Sequence, residues 1–477
     1  MIPTTLNAYN LLHNGMLALA RAERNGMYCD VEYCKETQEH LARQIARCEK
    51  QLMRSEFIMN WKRAFGQKFN LGSGDQLAYM LYSPNQLNIE PVKYTGSKCK
   101  ECKGTGCDFC HDKGENPSVD EEALEATGVP EVTDLLRIRE LTKAKDTYIQ
   151  NFLKEQVDGV IHPNFNLHIA RSYRPSTDSP NLANVPTRNP EIKKIVRRAL
   201  KARPGHKLVC ADFKGIEVSV SAMYHKDPEF MRYLFDKGTD MHRDMGEKLF
   251  KIDMLDLQKQ GSSAYKPIRQ TAKNKFVFPE FYGDWWKSCA ASLWAEAHFE
   301  THNLPNEATL IQHLAKQGIR NLSQFEKHVE TVENWMWNEK WPVYTQWKKD
   351  WWESYLEKGY FDSLMGFRYQ GIMNRKQACN YPIQGTAFHM MLQCIIWIDE
   401  DSLKEGWDSC ICNQIYDDLM LDVHPAEEQM VLDRLRYYMK ERLPAHFNWI
   451  NVPIDVDIEA TSVDGTWYEK SEKFVLQ

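Results

Sequence analysis

The chain has 477 residues, of which 43% are hydrophobic and 26% charged, and its formal net charge is −6 at pH 7. This composition is typical of a soluble globular protein of roughly three domains, and the net charge neither favours nor excludes a polyanionic partner. The longest apolar stretch, residues 387–398, is too short to span a bilayer and contains His389 and Gln393, so no membrane partner is expected. The chain has 13 cysteines, and their scatter outside one cluster favours a reducing, cytoplasmic compartment.

The first part of the chain predicts helices that are interrupted by a cysteine-rich insertion. Residues 6–64 and 121–157 have helical periodicity, whereas residues 93–118 are rich in Cys, Gly, Lys and Pro. Within the insertion, CKECKGTGCDFC places two Cys-x-x-Cys pairs close together: Cys99, Cys102, Cys107 and Cys110. Four thiolates on two tight turns can complete a tetrahedral shell, so we predict one structural Zn²⁺. Two chance cysteine pairs, or a redox pair, are the alternatives.

A basic window precedes the first strand candidate. Positions 188–207 hold eight Lys or Arg residues, including Arg188, against the single acid Glu191. Such a window could attract a nucleic-acid backbone, and a solvated helix face is the alternative. The segment KLVCADFKGIEVS that follows predicts a strand ending near Asp212.

Residues 240–358 are mostly helical in pattern, and the chain then returns to short strands such as VPIDVDIEA. This order suggests an α+β core interrupted by a long helical excursion. In PIRQTAKNKFVFPEFYG, Arg269 and Lys273 are four residues apart and therefore share a helical face. A cationic face of this kind can hold a triphosphate, although a solvated face is the commoner explanation for two basic residues.

The segment QIYDDLMLDV places Asp417 and Asp418 inside a strand-like apolar run. The pair predicts the bend of a hairpin, and two strands side by side would bring Asp417 within a few ångströms of Asp212. Carboxylates that close repel unless cations bridge them, and Mg²⁺ is the natural cation because it prefers oxygen ligands. A pair of such ions can activate an attacking oxygen and stabilise a leaving one. The alternative is that Asp-Asp simply favours a β-turn.

These segments resemble family A DNA polymerases, the bacterial DNA polymerase I type. ADFKGIE and QIYDDLMLDV resemble the two carboxylate motifs of that family, and residues 267–283 are similar to its fingers helix. The other matches are NGMYCD (25–30), FNLGSGDQLAYMLY (69–82), RSYRPSTDSPNLANVP (171–186), DMH (240–242), YFDSLMGFR (360–368) and NYPIQGTA (380–387).

The resemblance implies an α+β right-hand polymerase fold with an antiparallel-sheet palm, helical fingers and a helical thumb. The implied domains are a thumb at 1–135 with a zinc-knuckle insertion at about 93–118, palm at 136–240, fingers at 241–358 and palm at 359–477. It also implies a template-directed DNA polymerase, whose partners are primer–template DNA and dNTPs.

At the matching positions the resemblance implies a role for each site residue. Asp212 and Asp417 would hold two Mg²⁺ or Mn²⁺ ions, and Asp418 stands where the family usually has Glu. The catalytic set is Asp212, Asp417, Asp418 and Lys273; the nucleotide-binding set is Arg269, Lys273, His242, Phe278, Tyr282 and Glu217; and the DNA-binding set is Arg174, Asn380, Gln384 and Tyr416. Glu217 occupies the position of the steric gate, which favours deoxynucleotides.

The chain departs from the family pattern in the fingers helix. Tyr282 lies nine residues after Lys273, where the family spacing is eight, and Pro279 is expected to disturb the helix. Phe278 is our choice for the aromatic residue that packs on the nucleotide, with Phe276 as the alternative. These departures, together with Tyr416 in place of the usual His, are similar to those of phage members of the family. A phage-encoded protein would be located in the host cytoplasm.

The exonuclease of the family precedes the thumb, and this chain begins almost at the thumb. We therefore expect no 3′–5′ exonuclease on this polypeptide. Either proofreading lies on a separate chain, or this sequence is a fragment of a longer protein. The zinc knuckle could contact DNA or dock an exonuclease or processivity subunit, and a simple loop staple is the alternative. Two other function classes are a related RNA polymerase or reverse transcriptase, and a catalytically silent DNA-binding subunit.

Overall fold

A computed structural model describes residues 4–186, 189–305 and 309–470, and the backbone of residues 472–474. The helices in chain order are α1 (Thr5–Asn25), α2 (Val31–Leu52), α3 (Glu56–Phe65), α4 (Gly74–Tyr82), α5 (Glu121–Glu125), α6 (Pro130–Thr142), α7 (Gln150–Glu155), α8 (Pro190–Arg197), α9 (Ile216–His225), α10 (Pro228–Phe235), α11 (Met241–Phe250), α12 (Met254–Lys259), α13 (Tyr265–Ala272), α14 (Phe278–Phe281), α15 (Trp286–Glu296), α16 (Leu310–Lys316), α17 (Leu322–Trp335), α18 (Pro342–Lys358), α19 (Arg375–Glu405), α20 (Glu428–Arg436) and α21 (Leu443–His446). Wider π-helical segments continue some of these helices at Lys143–Ile149, Lys273–Val277, Met336–Lys340 and Tyr437–Arg442.

The strands are short and, where they pair, antiparallel. They are β1 (Met27–Cys29), β2 (Tyr94–Lys98), β3 (Glu115–Pro117), β4 (Val160–Ile161), β5 (Asn164–Asn166), β6 (Ser176–Asp178), β7 (Leu200–Lys201), β8 (Lys207–Phe213), β9 (Tyr360–Asp362), β10 (Arg368–Gln370), β11 (Cys410–Ile415), β12 (Asp418–Val423), β13 (Val456–Ala460) and β14 (Glu472–Phe474).

The chain forms two compact units, each assembled from separate stretches of sequence. The first unit comprises residues 1–43, 141–237 and 341–477, and the second comprises residues 44–140 and 238–340. These boundaries do not coincide with the predicted thumb, palm, fingers and palm segments, and that four-part division stays a prediction.

A five-stranded antiparallel sheet forms the centre of the first unit. Its strand order is β11-β12-β8-β13-β14, so β8 is the middle strand. Strand β8 is apolar because it is buried over nearly its whole length, and Asp212 is the residue near its end that stays half-buried. The sheet and the surrounding helices confirm the predicted α+β class.

The long helix α19 supports this sheet. A capping box at Asn374, in which the side chains and backbones of Asn374 and Gln377 bond reciprocally, begins the helix, and Gly406 in a left-handed conformation ends it. Most side chains from Ala378 to Asp399 are buried. A Cβ at Gly15 of α1 would lie 2.7 Å or less from Leu392 atoms, so this glycine allows α1 to pack closely on α19.

The second unit is helical apart from the β2–β3 hairpin. Its core includes Trp294 of α15 packed on Phe325 of α17, with ring centroids 5.3 Å apart. The hairpin pairs Lys98 with Glu115 and carries the cysteine-rich loop between its strands. Across the described part of the chain, no helix combines the length and the apolar character needed to cross a membrane.

Candidate functional site

Asp212 lies at the centre of a row of acids that crosses three strands of the five-stranded sheet. Asp418 of β12 and Asp457 of β13 lie directly opposite it on either side. Opposed residues of antiparallel strands share a face of the sheet, where like charges repel. Asp457 is compensated, because its Oδ1 lies 2.8 Å from the Lys214 ammonium. By contrast, Asp418 Oδ1 is buried and has no hydrogen-bond partner among the described residues.

Asp417 reaches this row from the turn that joins β11 and β12. Ile415 pairs with Asp418, so Tyr416 and Asp417 form a two-residue turn. Tyr416 has a φ of +55°, the left-handed conformation that such hairpin turns require at their first central residue. The backbone N–H of Phe213 donates to the Asp417 carbonyl oxygen at 3.4 Å. The predicted hairpin is therefore present and places Asp417 beside the end of β8.

Burial and neighbouring acids raise the pKa values of the three carboxyl groups. Burial, followed by the charges of Asp417 and Asp418, raises the pKa of Asp212 to about 8. Burial raises the pKa of Asp418 to about 7, with Asp417 adding to the shift and Lys470 opposing it. Burial also raises the pKa of Asp417. The protein therefore supplies too little positive charge to compensate three ionised carboxylates. Their oxygen atoms are suitable ligands for a hard divalent cation, which would supply that charge.

Glu217, Arg174 and Tyr416 form a second layer next to Asp417. The Arg174 guanidinium makes an ion pair with the Glu217 carboxylate and lies 5.4 Å from the centroid of the Tyr416 ring. Glu217 and Arg174 both act on the charge of Asp417, the first raising and the second lowering its pKa. The structure thus brings together the predicted steric gate, the predicted minor-groove arginine and the aromatic residue of the turn.

Helix α19 presents Asn380 and Gln384 one turn apart, and both side chains are half-buried. The next residue, Gly385, is a point of close approach: a Cβ there would lie 2.6 Å from the Ser172 carbonyl oxygen. That oxygen also accepts a hydrogen bond from the Tyr369 hydroxyl at 3.1 Å. Gly385 therefore lets the backbone that leads to Arg174 dock directly on α19.

In the second unit, the residues predicted to bind nucleotide are also neighbours. The Phe278 ring lies edge-on to His242 at 5.7 Å and 5.1 Å from the Lys273 ammonium. Tyr282 is 6.4 Å from Phe278 between ring centroids. Burial, followed by the charges of Arg269 and Lys273, lowers the pKa of His242 to about 4, so its imidazole is neutral at pH 7. A neutral ring between two cations can donate a hydrogen bond to an anion without adding charge.

The extra residue between Lys273 and Tyr282 is accommodated by a π-helical segment. Lys273–Val277 is π-helical, and α14 resumes at Phe278 with Pro279 in its first turn. Proline has no N–H to donate and crowds the carbonyl four residues earlier, so a widened turn before it relieves both problems. Phe276 is fully buried in the core, whereas Phe278 is partly exposed, which favours Phe278 over Phe276.

The four cysteines of the insertion have the spacing of a metal shell. Their sulfur atoms lie 3.9 Å apart for Cys99 and Cys107 and 3.7 Å apart for both Cys102–Cys110 and Cys107–Cys110. Four thiolates around one zinc, each about 2.3 Å from it, would place their sulfurs about 3.8 Å from one another. The backbone N–H of Gly106 points at Cys102 Sγ at 3.2 Å, as expected for a charged sulfur.

Much of the basic window is used inside the protein. Lys201 pairs with Asp30 at 2.9 Å and Lys207 with Glu428 at 2.7 Å. The Arg197 guanidinium lies over Trp467, 4.2 Å from the ring centroid. Arg188 lies outside the described residues. For Lys201, Lys207 and Arg197, these contacts match neither a free DNA-binding surface nor a solvated helix face.

Two features of the structure were not anticipated from sequence. The first is Lys470, which lowers the pKa of Asp418 and lies 3.4 Å from Glu459; its neighbours along the chain give no hint of this. The second is a basic stripe at the end of α2 and in the turn after it, formed by Arg47, Lys50 and Arg54, which border one open pocket. The spacing of three and four residues between those basic side chains was a readable signal.

A second group of possible metal ligands is better explained as an ion network. His206, Asp408 and His424 have ligand atoms within 4.8 Å of one another. However, the Arg203 guanidinium already bonds to Asp408 at 3.1 Å and to Asp422 at 3.0 Å. His206 Nδ1 lies 2.7 Å from Asp422 Oδ1. Because a guanidinium supplies the positive charge here, a metal ion would have to compete with it.

Comparisons with known proteins identify a family to which most of this chain is similar. A family model described as DNA polymerase family A matches residues 31–469. DNA polymerase I of Chloroflexus aurantiacus is 26% identical over 468 residues, which is 95% of this chain and 42% of that protein. The thermostable DNA polymerase I of Thermus thermophilus is 25% identical over 453 residues, or 92% of this chain and 46% of that protein. The chain therefore spans less than half the length of these relatives.

One solved structure similar to this chain is the POL domain of Pol1 from M. smegmatis, in complex with a DNA primer-template and dNTP. Its TM-score is 0.69 at 22% identity, and the match covers 96% of this chain and 70% of that one. At this identity the likeness shows the fold, and it confirms the right-hand polymerase fold predicted from the sequence.

Proposed function

We propose that this chain, which belongs to DNA polymerase family A, adds deoxynucleotides to the 3′ end of a primer under the direction of a DNA template. The observation that carries the proposal is the cluster of Asp212, Asp417 and Asp418 at the ends of paired strands, where burial raises the pKa of each acid and repulsion from neighbouring acids adds to the shift. A protein pays a folding cost to keep such acids together, and nucleotidyl transfer is a chemistry that uses them.

Asp212 and Asp417 would hold two Mg²⁺ or Mn²⁺ ions, with Asp418 in a supporting role. When bound, such ions neutralise charge on the reacting oxygens and favour in-line displacement at a phosphate. The carboxylates fit this role because they offer oxygen ligands, and one buried oxygen, Asp418 Oδ1, lacks any partner among the described residues.

In the second unit, Arg269, Lys273 and neutral His242 would bind the triphosphate of the incoming nucleotide. Two cations placed there would compensate charge that develops on the phosphates, and they need little reorganisation when fixed in advance. Phe278 and Tyr282 offer aromatic faces on which a base can stack. Glu217 would crowd a ribose 2′-hydroxyl, and its ion pair with Arg174 holds its side chain in place.

The DNA would be contacted by Arg174, Asn380, Gln384 and Tyr416 near the carboxylate cluster. The basic stripe of Arg47, Lys50 and Arg54 supplies charges suited to a phosphate backbone and needs no base-specific contacts. We also propose the four-part division into thumb, palm, fingers and palm as the functional arrangement of the sequence. The phage-like character, the host-cytoplasm location and a separate exonuclease or processivity subunit stay predictions.

Primer extension by the isolated chain tests the activity. With matched primer–template and Mg²⁺, we expect extension with dNTPs that exceeds extension with NTPs by at least about 10²-fold. In a Glu217→Ala variant, the ratio of extension with dNTPs to extension with NTPs should fall. It should fall by a larger factor than the rate with dNTPs does. On a primer with a mismatched 3′ end, the expected absence of a 3′–5′ exonuclease predicts that the mismatch is not removed.

Each other result of this assay points to a different function. Equal use of NTPs would favour the RNA polymerase alternative, and extension on an RNA template would favour a reverse transcriptase. Template binding with no extension under any divalent ion would favour a silent DNA-binding subunit. Degradation of the mismatched primer would contradict the expected lack of proofreading on this chain.

The cysteine cluster would hold one structural Zn²⁺ with no open ligand position. We expect about one zinc per chain in protein purified without chelators, because four thiolates close a tetrahedral shell. A Cys102→Ser variant should lose most of this zinc, whereas Cys48→Ser, outside the cluster, should retain it. Metal analysis by mass spectrometry measures both, and wild-type protein without zinc would contradict the assignment.

A further inference from the structure

A network of ion pairs in the second unit joins the base of the cysteine-rich insertion to the helix that carries Arg269 and Lys273. Its central residue is Lys275, in the π-helical segment, whose side chain is 14% exposed. The Lys275 ammonium contacts the Glu122 carboxylate of α5 and lies 3.2 Å from Glu296 Oε1 of α15. Residues far apart in sequence thus meet at one nearly buried cation.

The insertion side of the network begins where the β2–β3 hairpin closes. Lys93, the residue before β2, places its ammonium 2.7 Å from Asp120 and 3.0 Å from Glu122. The Ser118 N–H donates to the Lys93 carbonyl oxygen at 2.9 Å, and the Tyr82 hydroxyl donates to the Ser118 carbonyl oxygen at 2.8 Å. The two segments of chain that lead into and out of the cysteine cluster are therefore held together beside Glu122, the residue that contacts Lys275.

The fingers side of the network holds the helix at a second position. The Thr271 hydroxyl bonds to the Glu296 carboxylate and lies 2.8 Å from His302 Nε2. Thr271 and Lys275 are four residues apart and share one face of the helix. Arg269 and Lys273 are also four apart, and each lies two residues before a member of the first pair. Residues two apart on a helix point in opposite directions. One face of this segment is held by the network while the other carries the cations proposed to bind phosphate.

We propose that Lys275 is a positioning residue for the triphosphate-binding helix and that the zinc knuckle acts through it. In this scheme the metal-stiffened insertion fixes Lys93 and Asp120, these fix Glu122, and Glu122 with Glu296 fixes Lys275. The knuckle then serves nucleotide binding, in contrast to the DNA or subunit docking considered from the sequence. The inference rests on the proposed function, because it takes Arg269 and Lys273 as phosphate ligands.

Steady-state extension kinetics on the full chain test this scheme. In Glu122→Gln and in Lys275→Met, we expect the KM for dNTP to rise about fivefold or more, with kcat and the Kd for primer–template within about twofold. Lys275→Arg keeps the charge and should stay close to wild type. Glu121→Gln, an exposed acid next to Glu122 on the same helix, should also have no effect.

The double variant Glu122→Gln/Lys275→Met separates coupling from two independent effects. If Glu122 and Lys275 act as a unit, the KM of the double variant should match that of the worse single variant, since the effects of substitutions at coupled neighbours do not add. A KM that multiplies the two single effects, an unchanged KM in both single variants, or equal losses in kcat and DNA affinity would overturn the inference.

Hydrogen exchange provides a readout that does not depend on catalysis. Zinc removal by Cys102→Ser, and separately Glu122→Gln, should speed amide exchange in residues 265–282 of the nucleotide-free protein, because both loosen the same anchor. Unchanged exchange there in both variants would overturn the coupling even if primers are extended normally. Faster exchange in a protein that never extends primers would support the coupling and reject the proposed function instead.

Discussion

Replacing Asp212 or Asp417 by asparagine is expected to lower primer extension by at least about 10³-fold, because the divalent ions that these carboxylates would hold supply several kcal/mol of charge stabilisation. Asparagine keeps the shape of the side chain and removes the charge. The measurement is single-turnover extension with a matched primer at saturating dNTP. Binding of primer–template, measured by anisotropy, should change little, since phosphate and minor-groove contacts come from other residues.

Asp457→Asn is the matched control for this experiment. Asp457 lies opposite Asp212 on the neighbouring strand, but it is exposed and pairs with Lys214 at 2.8 Å. Its replacement removes a carboxylate from the same row of the sheet and should leave extension within about threefold of wild type, as surface changes away from a site usually do little. Equal losses at Asp457 and Asp212 would mean that the row acts as a general negative field and not as a metal site.

The asparagine variants should not fail through misfolding. The folded-state pKa of Asp212 is raised to about 8, above the value of about 3.9 in an unfolded chain. The folded state therefore holds this proton more tightly, and without divalent ions the free energy of unfolding should fall as pH rises from about 4 to about 8. Asp212→Asn removes this penalty, so at pH 8 in EDTA the variant should be at least as stable as wild type.

The carboxylate site could be predicted because its two parts are local patterns. Asp212 ends an apolar run, and Asp417 lies in an apolar segment that is interrupted at a turn, so each position can be predicted from nearby residues. The pairing of Asp212 with Asp418 on one side and Asp457 on the other could not be read in the same way. Register between strands some 200 and 250 residues apart depends on long-range packing, not on local periodicity.

In the helical segment at 265–282, by contrast, only part of the structure could be predicted from sequence. Its basic residues were visible as a four-residue spacing, and the extra residue before Tyr282 was visible as a departure from the family pattern. Sequence alone favoured a disturbance at Pro279, whereas the structure resolves the same conflict by widening the turn at Lys273–Val277. Which of several local solutions a helix adopts depends on its neighbours, here the buried Phe276 and the ion pairs of Lys275.

The ion network at Lys275 was invisible from sequence for a related reason. Lys93, Glu122, Lys275 and Glu296 are ordinary charged residues in segments with no shared motif, and charge alone favours solvent exposure. Their burial follows from the packing of residues 44–140 with residues 238–340 in one unit. The basic window at 188–207 is the converse case, since a conspicuous run of charge includes lysines such as Lys201 and Lys207 that form ion pairs within the protein.

Replacing Lys273 by methionine is expected to lower kcat/KM for dNTP by about 10²- to 10³-fold, the usual cost of losing one preorganised group that stabilises transition-state charge. Methionine keeps the length and apolar contact of the side chain, including packing near the Phe278 ring, where the ammonium lies 5.1 Å from the ring centroid. Presteady-state extension over a range of dNTP concentrations measures the effect. The Kd for primer–template should stay unchanged.

An Arg269 variant would test a phosphate ligand less specifically, because Arg269 also bonds to a residue that caps a helix. Arg269 Nε lies 2.6 Å from Asp240 Oδ2, and Asp240 also caps α11 through the backbone N–H groups of His242 and Arg243. An Arg269 variant would disturb that cap and the position of His242 together. Any loss in activity would then combine a missing phosphate ligand with a displaced helix.

Two lysines on the same helical segment provide the comparison that decides this case. Lys266→Met removes an exposed charge one helix turn before Arg269 and should leave kcat/KM within about twofold, because surface charges act weakly through solvent. Lys275→Met should raise KM and spare kcat if it acts through helix position. Since Lys273→Met alone is expected to lower kcat as well, an effect confined to KM would mean that the Lys273 ammonium binds the nucleotide equally in the ground state and the transition state and does not speed the chemical step.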